Sequence, residues 1–428
     1  MQYNPPLVSA GRAGAVEADR TDPLAAIRDQ FVITNPDVVY FDGNSLGRLP
    51  KQTIEHLTTV INAEWGDGLI RGWGRGWYEA PHRVGDKIGA LLGAAPGQVI
   101  ACDSTSVNLY KAVMAALAAR PGRKTILSDA LNFPSDLYII QGAIAQHGNV
   151  HTLTLVPSRD AELTVDLAAV EGAITTDTAL VLLSHVTFKS GYIYDMQRIT
   201  AAAHARGALV IWDLSHSAGA VPMQLDAWDV DFAIGCCYKF LNGGPGAPAF
   251  IYVNQRIQER VVSPIWGWFG QKSPFAFDLQ YEPAAGIDRF LAGTPPMLAL
   301  SAVESSLDML VPVGIDAIRA KSIALTEYMI ALYDARLAEL GFTLGSPRDA
   351  AIRGSHVSIR HPMGYQINQA LIAEQNVIPD FREPDNLRLG LSPLTTSFCE
   401  IWDGVDRIAS TVRSELHNKY PAARKAVT

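Results

Sequence analysis

The sequence predicts an α/β fold, with a mainly parallel sheet in a large domain and a smaller α/β domain at the C-terminal end. Three observations carry this reading. Short apolar, often β-branched runs alternate with helical patterns between about residues 85 and 255. Near Leu310 the texture changes and a long helical pattern begins. At 428 residues, 48% of them apolar, the chain exceeds what one core usually serves, so two domains or one large domain with an appendage are expected.

Taken in order, residues 1–50 contain prolines, are weakly periodic and read as an arm with one short helix near 22–30. Residues 51–310 read as the large domain. Its strand candidates are 125–127, 150–156, 180–183, 208–212, 232–236 and 249–253, most of them too short and too β-branched for buried helices. Between them, 107–119 and 196–206 repeat apolar residues at three and four positions, as helices packed on a sheet do. Strand, helix, strand repetition implies a parallel sheet covered on both faces, with ligands gathered beyond the carboxyl ends of its strands. Residues 311–428 read as the small domain: a helix over 316–340 stopped by Gly341, then a strand at 356–359 and a helix at 366–374.

Composition removes several function classes. Lys plus Arg is 35 against 43 for Asp plus Glu, a net charge of -8 with no basic block, which argues against nucleic acid as a partner. No apolar run approaches the roughly 18 residues of a membrane span. The start, MQYNPPLVSAGR, lacks the basic head and apolar stretch of a signal peptide, so a cytoplasmic protein without a membrane partner is expected. Cys102, Cys236, Cys237 and Cys399 form no CxxC pair and no Cys/His cluster, so neither a metal site nor a disulfide framework is expected, and each reads as a small buried hydrophobe. Glycines crowd 66–76, 243–246 and 286–293, but neither GxxxxGK[ST] nor a GxGxxG after an early strand is present, which disfavours a nucleotide-dependent dehydrogenase.

The chemistry-bearing residues lie at predicted strand ends. Asp213 ends the 208–212 strand, where an acid projects into the ligand crevice, although a carboxylate there also suits a helix cap. Lys239 follows the 232–236 strand between Tyr238 and Phe240 and precedes Asn242-Gly243-Gly244-Pro245-Gly246. An apolar setting lowers a lysine pKa and favours imine chemistry; the plain alternative is a solvated lysine. Pyridoxal phosphate needs such a lysine and, in many enzymes, an acid on its ring nitrogen. It also needs a phosphate site, and Asp103 to Asn108 read as a hydroxyl-rich helix start that suits an anion, or as simple caps.

The ordered strings Ser104-Thr105-Ser106-Val107-Asn108-Leu109, Phe133-Pro134-Ser135-Asp136, Asp213-Leu214-Ser215-His216, Tyr238-Lys239-Phe240-Leu241-Asn242 and Gly267-Trp268-Phe269-Gly270 closely resemble kynureninases. The segments Phe41 to Gly47 and Trp65 to Gly76 extend the resemblance over nearly the whole chain. It implies a fold-type I pyridoxal-phosphate-dependent transferase-like architecture with a seven-stranded sheet, and hydrolytic Cβ–Cγ cleavage of L-kynurenine to anthranilate and L-alanine, with 3-hydroxykynurenine as an alternative substrate. It further implies that Lys239 carries pyridoxal 5'-phosphate as a Schiff base and moves the Cα proton. Asp213 pairs with the ring nitrogen, with Asp136 beside it, and Phe133 stacks on the ring. Thr105 and Ser106 bind the phosphate, and Ser184 and His216 surround the cofactor. Tyr238 touches the phosphate and handles a substrate proton. Arg388 holds the substrate carboxylate, while Trp268 and Thr294 reach the site from the second subunit of a homodimer. Loops 243–246 and 293–296 are placed at the cofactor. At Thr294 many relatives carry Asn, and residues 71–74 are glycine-richer than usual for the aryl pocket. Two other readings stay open: a cysteine desulfurase or related lyase, with Cys399 as the reactive thiol, and a non-catalytic binding protein that keeps the fold.

Overall fold

The computed structural model describes residues 11–423; the first ten residues of the predicted arm lie outside them. The large sheet has seven strands: β1 (Val99–Ala101), β2 (Thr125–Asp129), β3 (Thr152–Val156), β4 (Thr178–Ser184), β5 (Leu209–Asp213), β6 (Phe232–Cys236) and β7 (Ala249–Val253). Their spatial order is β1-β7-β6-β5-β4-β2-β3. Only β7 runs against the rest, pairing antiparallel with both β1 and β6. Every residue of β4 to β7 is buried, as expected for strands covered on both faces. Alternation decides which core each side chain enters. Leu209, Ile211, Phe232 and Ile234 enter one apolar cluster, and Val210, Trp212 and Ala233 enter the other. Each large side chain buried this way contributes about 1.5–3 kcal/mol.

The C-terminal part carries its own antiparallel sheet, β8 (Thr343–Leu344), β9 (His356–Arg360), β10 (Asp380–Arg382) and β11 (Asn386–Gly390), in the order β10-β11-β9-β8. Helix Ile315–Arg336 leads into it, and after a short 3-10 turn Gly341 takes the left-handed conformation (φ 87°) that ends the helical run. A third core of C-terminal residues also takes in Ala15, Ala18 and Phe41. Helix Arg12–Thr21 therefore packs on helix Phe398–Arg413, and the Asp19 carboxylate accepts the backbone N–H groups of Phe398 and Cys399 at 2.7 and 3.0 Å. The N-terminal segment is thus docked onto the C-terminal core, with a longer helix than the one expected at 22–30, where only Ala25–Arg28 is helical.

Two glycines bring the N-terminal segment to the sheet end. A Cβ on Gly47 would stand 2.4 Å from the Lys239 carbonyl, and one on Gly390 would stand 1.9 Å from Asn44 Oδ1. Gly47 N–H in turn donates to the Tyr238 carbonyl at 2.8 Å. The 41–47 string is therefore a wall laid across the strand ends. Among the described residues no single helix is long and apolar enough to cross a membrane.

Candidate active site

Chain direction gathers the site. Because β1, β2, β4, β5 and β6 point the same way, the segments that follow them converge at one edge of the sheet. After β1 comes helix α1 (Thr105–Ala118), with Ser104 as its cap, accepting from Val107 N–H at 3.4 Å. Asp103 takes a positive φ of 49° just before it, held by the fully buried Lys111 Nζ at 2.5 Å. After β2 comes helix α2 (Pro134–Gln146), whose first turn holds Ser135 and Asp136. Ser106 Oγ and Ser135 Oγ are 3.5 Å apart, so two helix N-termini meet at one point. Such a point suits a phosphate, since both ends present free N–H groups and hydroxyls.

The resulting cavity, of about 240 Å³, is lined by Thr105, Ser106, Phe133, Asp136, Ser184, Asp213, His216, Tyr238, Lys239 and Arg388. Ten of the sequence-predicted residues thus meet in one place. Ser45, Ser135, Phe188, Ser215 and Arg382 also line it. They escaped sequence reasoning, and only Ser45, Ser135 and Ser215 stand inside strings that the resemblance already quoted. Trp268 and Thr294 do not line this cavity. Trp268 packs edge-on against Phe269 and Phe275, and Thr294 is exposed. Nor do loops 243–246 and 293–296 line it; the first is the turn that follows Lys239, with Asn242 at φ 54° and Gly243 N–H donating to the Cys237 carbonyl at 2.8 Å.

Three groups of side chains divide the cavity. Lys239 Nζ lies 3.0 Å from His216 Nε2. Burial, then the Lys239 charge, holds His216 well below the usual imidazole range. The ring is neutral and meets Lys239 through Nε2, while its Nδ1 is buried with no partner of its own. Asp213 accepts the Ser215 N–H at 2.7 Å, and Asp136 beside it is raised well above the ordinary carboxyl range, first by burial and then by the Asp213 charge. Asp136 Oδ2 is buried without a partner. A cationic ring nitrogen placed at this pair would neutralise it. Asn132 fixes the surroundings: its Oδ1 accepts from Ser184 Oγ at 2.7 Å and from Phe133 N–H at 2.8 Å.

At the opposite end Arg388 is almost fully buried. It donates to the Phe188 carbonyl and Ser45 Oγ, each at 2.8 Å, and to Asp380, which also accepts from Arg382. Asp42 lies 4.0 Å away and is pushed up to about 6 by burial and by the Asp380 charge. A raised acid stabilises the fold most below its unfolded pKa, near 4, and that stabilisation is lost as pH rises through about 6. Asp42→Asn is therefore expected to raise stability by roughly 2 kcal/mol at pH 8, with the gain fading below pH 5, as thermal melts at the two pH values will show.

The donor set fits pyridoxal phosphate: a lysine, a carboxyl pair with an orphaned oxygen, an exposed aromatic face on Phe133 and a doubled helix terminus for phosphate. Fold and site together define a pyridoxal-phosphate-dependent enzyme built on the fold-type I sheet. Solved structures of that architecture are similar to the chain. A cysteine desulfurase from Thermococcus onnurineus NA1 matches with a TM-score of 0.77 at 19% identity, over 91% of this chain and 98% of that one. A C-DES variant with glycine covalently linked to its PLP cofactor matches with a TM-score of 0.77 at 19% identity, over 89% and 98%. Sequence relatives go further. The kynureninase of Burkholderia pseudomallei strain K96243 is 44% identical over 423 residues, 97% of this chain and 99% of the relative, and that of Pseudomonas fluorescens is 45% identical over 399 residues, 92% and 94%. The Kynureninase C-terminal domain family matches residues 318–408, and the DegT/DnrJ/EryC1/StrS aminotransferase family matches 69–224. The chain belongs to the kynureninase family.

Proposed function

We propose that the chain hydrolyses L-kynurenine at the Cβ–Cγ bond, releasing anthranilate and L-alanine. The observation that carries this reading is the near-full-length match to kynureninases, in a chain whose cavity keeps a lysine, a carboxyl pair and a buried arginine. When bound, the cofactor supplies the electron sink for the bond-breaking steps.

The chain's own residues do the rest. Lys239 would hold the cofactor and then move the Cα proton, with neutral His216 beside Nζ at 3.0 Å. Asp213 would hold the ring nitrogen, with Asp136 completing the pair. Phe133, 40% exposed and edge-on to Phe188 at 5.3 Å, offers its face to the ring. Thr105 and Ser106 would take the phosphate, and Ser184, tied to Asn132, would stand beside the cofactor. Tyr238 keeps its proton, because the adjacent Cys236 sulfur and burial raise its pKa, so it donates at the substrate side chain. Arg388 takes the α-carboxylate. Arg388→Lys, which keeps the charge and loses the planar fork, is expected to raise KM for kynurenine about tenfold with little change in kcat, as steady-state kinetics will show.

We assign the chain to residues 1–50 as an arm, 51–310 as the cofactor domain and 311–428 as the small domain, acting as a cytoplasmic homodimer. The exposed Phe275, Phe277 and Leu279 beside Trp268 support burial of that face against a second copy, from which Trp268 and Thr294 would reach the partner site. The desulfurase alternative loses its nucleophile. Cys399 lies in the first turn of helix Phe398–Arg413, not on a loop, and burial pushes its thiol up to about 12.

Incubating the purified protein with kynurenine tests the reading. Anthranilate fluorescence is expected. A protein that binds pyridoxal phosphate and forms no anthranilate would refute the substrate while leaving the enzyme class intact.

A further inference from the structure

A second cavity, also of about 240 Å³, shares no lining residue with the first. It lies between the carboxyl end of β4 and helix Ile315–Arg336. Its polar floor is His185, the residue after Ser184, and its lid is Arg319. Both are held in place. His185 N–H donates to the Asp213 carbonyl at 2.9 Å, and its ring stands edge-on to Trp212 at 6.1 Å. Arg319 Nη2 donates to the Ala350 carbonyl at 2.6 Å.

Two buried nitrogens facing the cavity have no partner. Arg319 Nη1 and His185 Nδ1 are both buried without a hydrogen-bond partner, and His185 as a whole is only 2% exposed. No acid compensates the guanidinium: burial, and then the Arg353 cation, draws Arg319 down to about 10. Burial, and then Arg319, holds His185 near 3, so its ring is neutral. Asp195 stands exposed at the rim, where its carboxylate caps helix Met196–Ala205 by accepting from Arg198 N–H at 3.0 Å. Arg319 is half-buried as a whole, but a guanidinium whose inner Nη1 has neither water nor acceptor is costly, and an anion beside it would reduce that cost. Gln197 adds a polar group at the lining, and the apolar walls include Ile193, Val221, Pro222 and the half-buried Trp228, which suit a flat apolar body.

We propose that this cavity binds a small aromatic monocarboxylate, with the carboxylate on Arg319 Nη1 and His185 Nδ1 and the ring against Pro222 and Trp228. Anthranilate belongs to this class, so a link to the enzyme's own product rests on the kynurenine reading; the site itself does not. Its floor adjoins Ser184 and its lid belongs to the helix that leads into the C-terminal sheet, so occupancy ties the cofactor wall to that part of the chain.

Equilibrium dialysis of radiolabelled benzoate against the pyridoxal-phosphate-loaded enzyme tests this. Arg319→Gln is expected to bind one benzoate fewer per chain than wild type while retaining kynurenine turnover. His185→Phe, which removes the polar ring nitrogens, should weaken the same site about tenfold. Val221→Trp, which fills the cavity and leaves Arg319 untouched, should also lose that equivalent, and it serves if Arg319→Gln does not fold. Wild type that binds no benzoate, or variants that keep wild-type stoichiometry and affinity, would overturn the proposal. Absent kynurenine turnover in wild type would strike the proposed function alone.

Discussion

Lys239→Ala is expected to lower kcat for anthranilate formation by about 10⁴-fold, the upper end of what one positioned acid–base group supplies. The absorbance of the lysine-linked cofactor should vanish in the same sample. The two losses share one origin, because the same Nζ is asked to anchor the cofactor and to carry the Cα proton. Its 3.0 Å contact with a neutral His216 leaves no competing cation in the way. Added cofactor can still enter the variant, since Thr105, Ser106 and Asp213 are untouched. Equilibrium binding of pyridoxal phosphate therefore separates a lost anchor from a lost pocket. An unchanged spectrum would remove Lys239 from the mechanism.

Asp213→Asn should be the next most damaging change. The amide is nearly isosteric and keeps an oxygen for the Ser215 N–H, so the fold should survive. What disappears is the charge that holds a ring nitrogen protonated. Removing one partner of a buried ion pair costs about 3–5 kcal/mol. If the whole cost falls on the chemical step, kcat drops by roughly 10²- to nearly 10⁴-fold. Asp136 does not compensate, because burial already favours its neutral form and removing the Asp213 charge does not undo that burial. Asp136→Asn is expected to be milder. Equal losses in the two variants would mean that the pair, and not Asp213, is the functional unit.

Strand ends were the most legible part of the sequence. Phe232–Cys236 and Ala249–Val253 fall where their apolar runs stop, because strands buried on both faces have no polar positions to blur their limits. Lys239 and Asp213 are legible for the same reason: each is a charged residue where an apolar run ends. The strand Val99–Ala101 escaped because three residues are too few to establish a period. Helix Arg12–Thr21 escaped because its buried face consists of Ala15 and Ala18, whose small side chains leave little hydrophobic signal. Arg388 was reachable only through the resemblance. Its setting is made by Ser45, Phe188 and Asp380, and most of those contacts come from distant parts of the chain. Phe188 and Arg382 have no local mark at all, since pattern reasoning sees neighbours in sequence and not the cavity that two sheets enclose.

The hydrogen bond between Ser45 and Arg388 spans 343 positions of chain. A ribosome moving from the N-terminus therefore makes the cofactor's side of the cavity first and its carboxylate end last. A nascent chain released before residue 388 would carry Lys239, Asp213 and both helix termini, yet it would offer Ser45 no partner and leave the N-terminal helix without Phe398–Arg413 to rest on. A chain truncated there would lack Arg388 and with it the buried guanidinium at that end of the cavity.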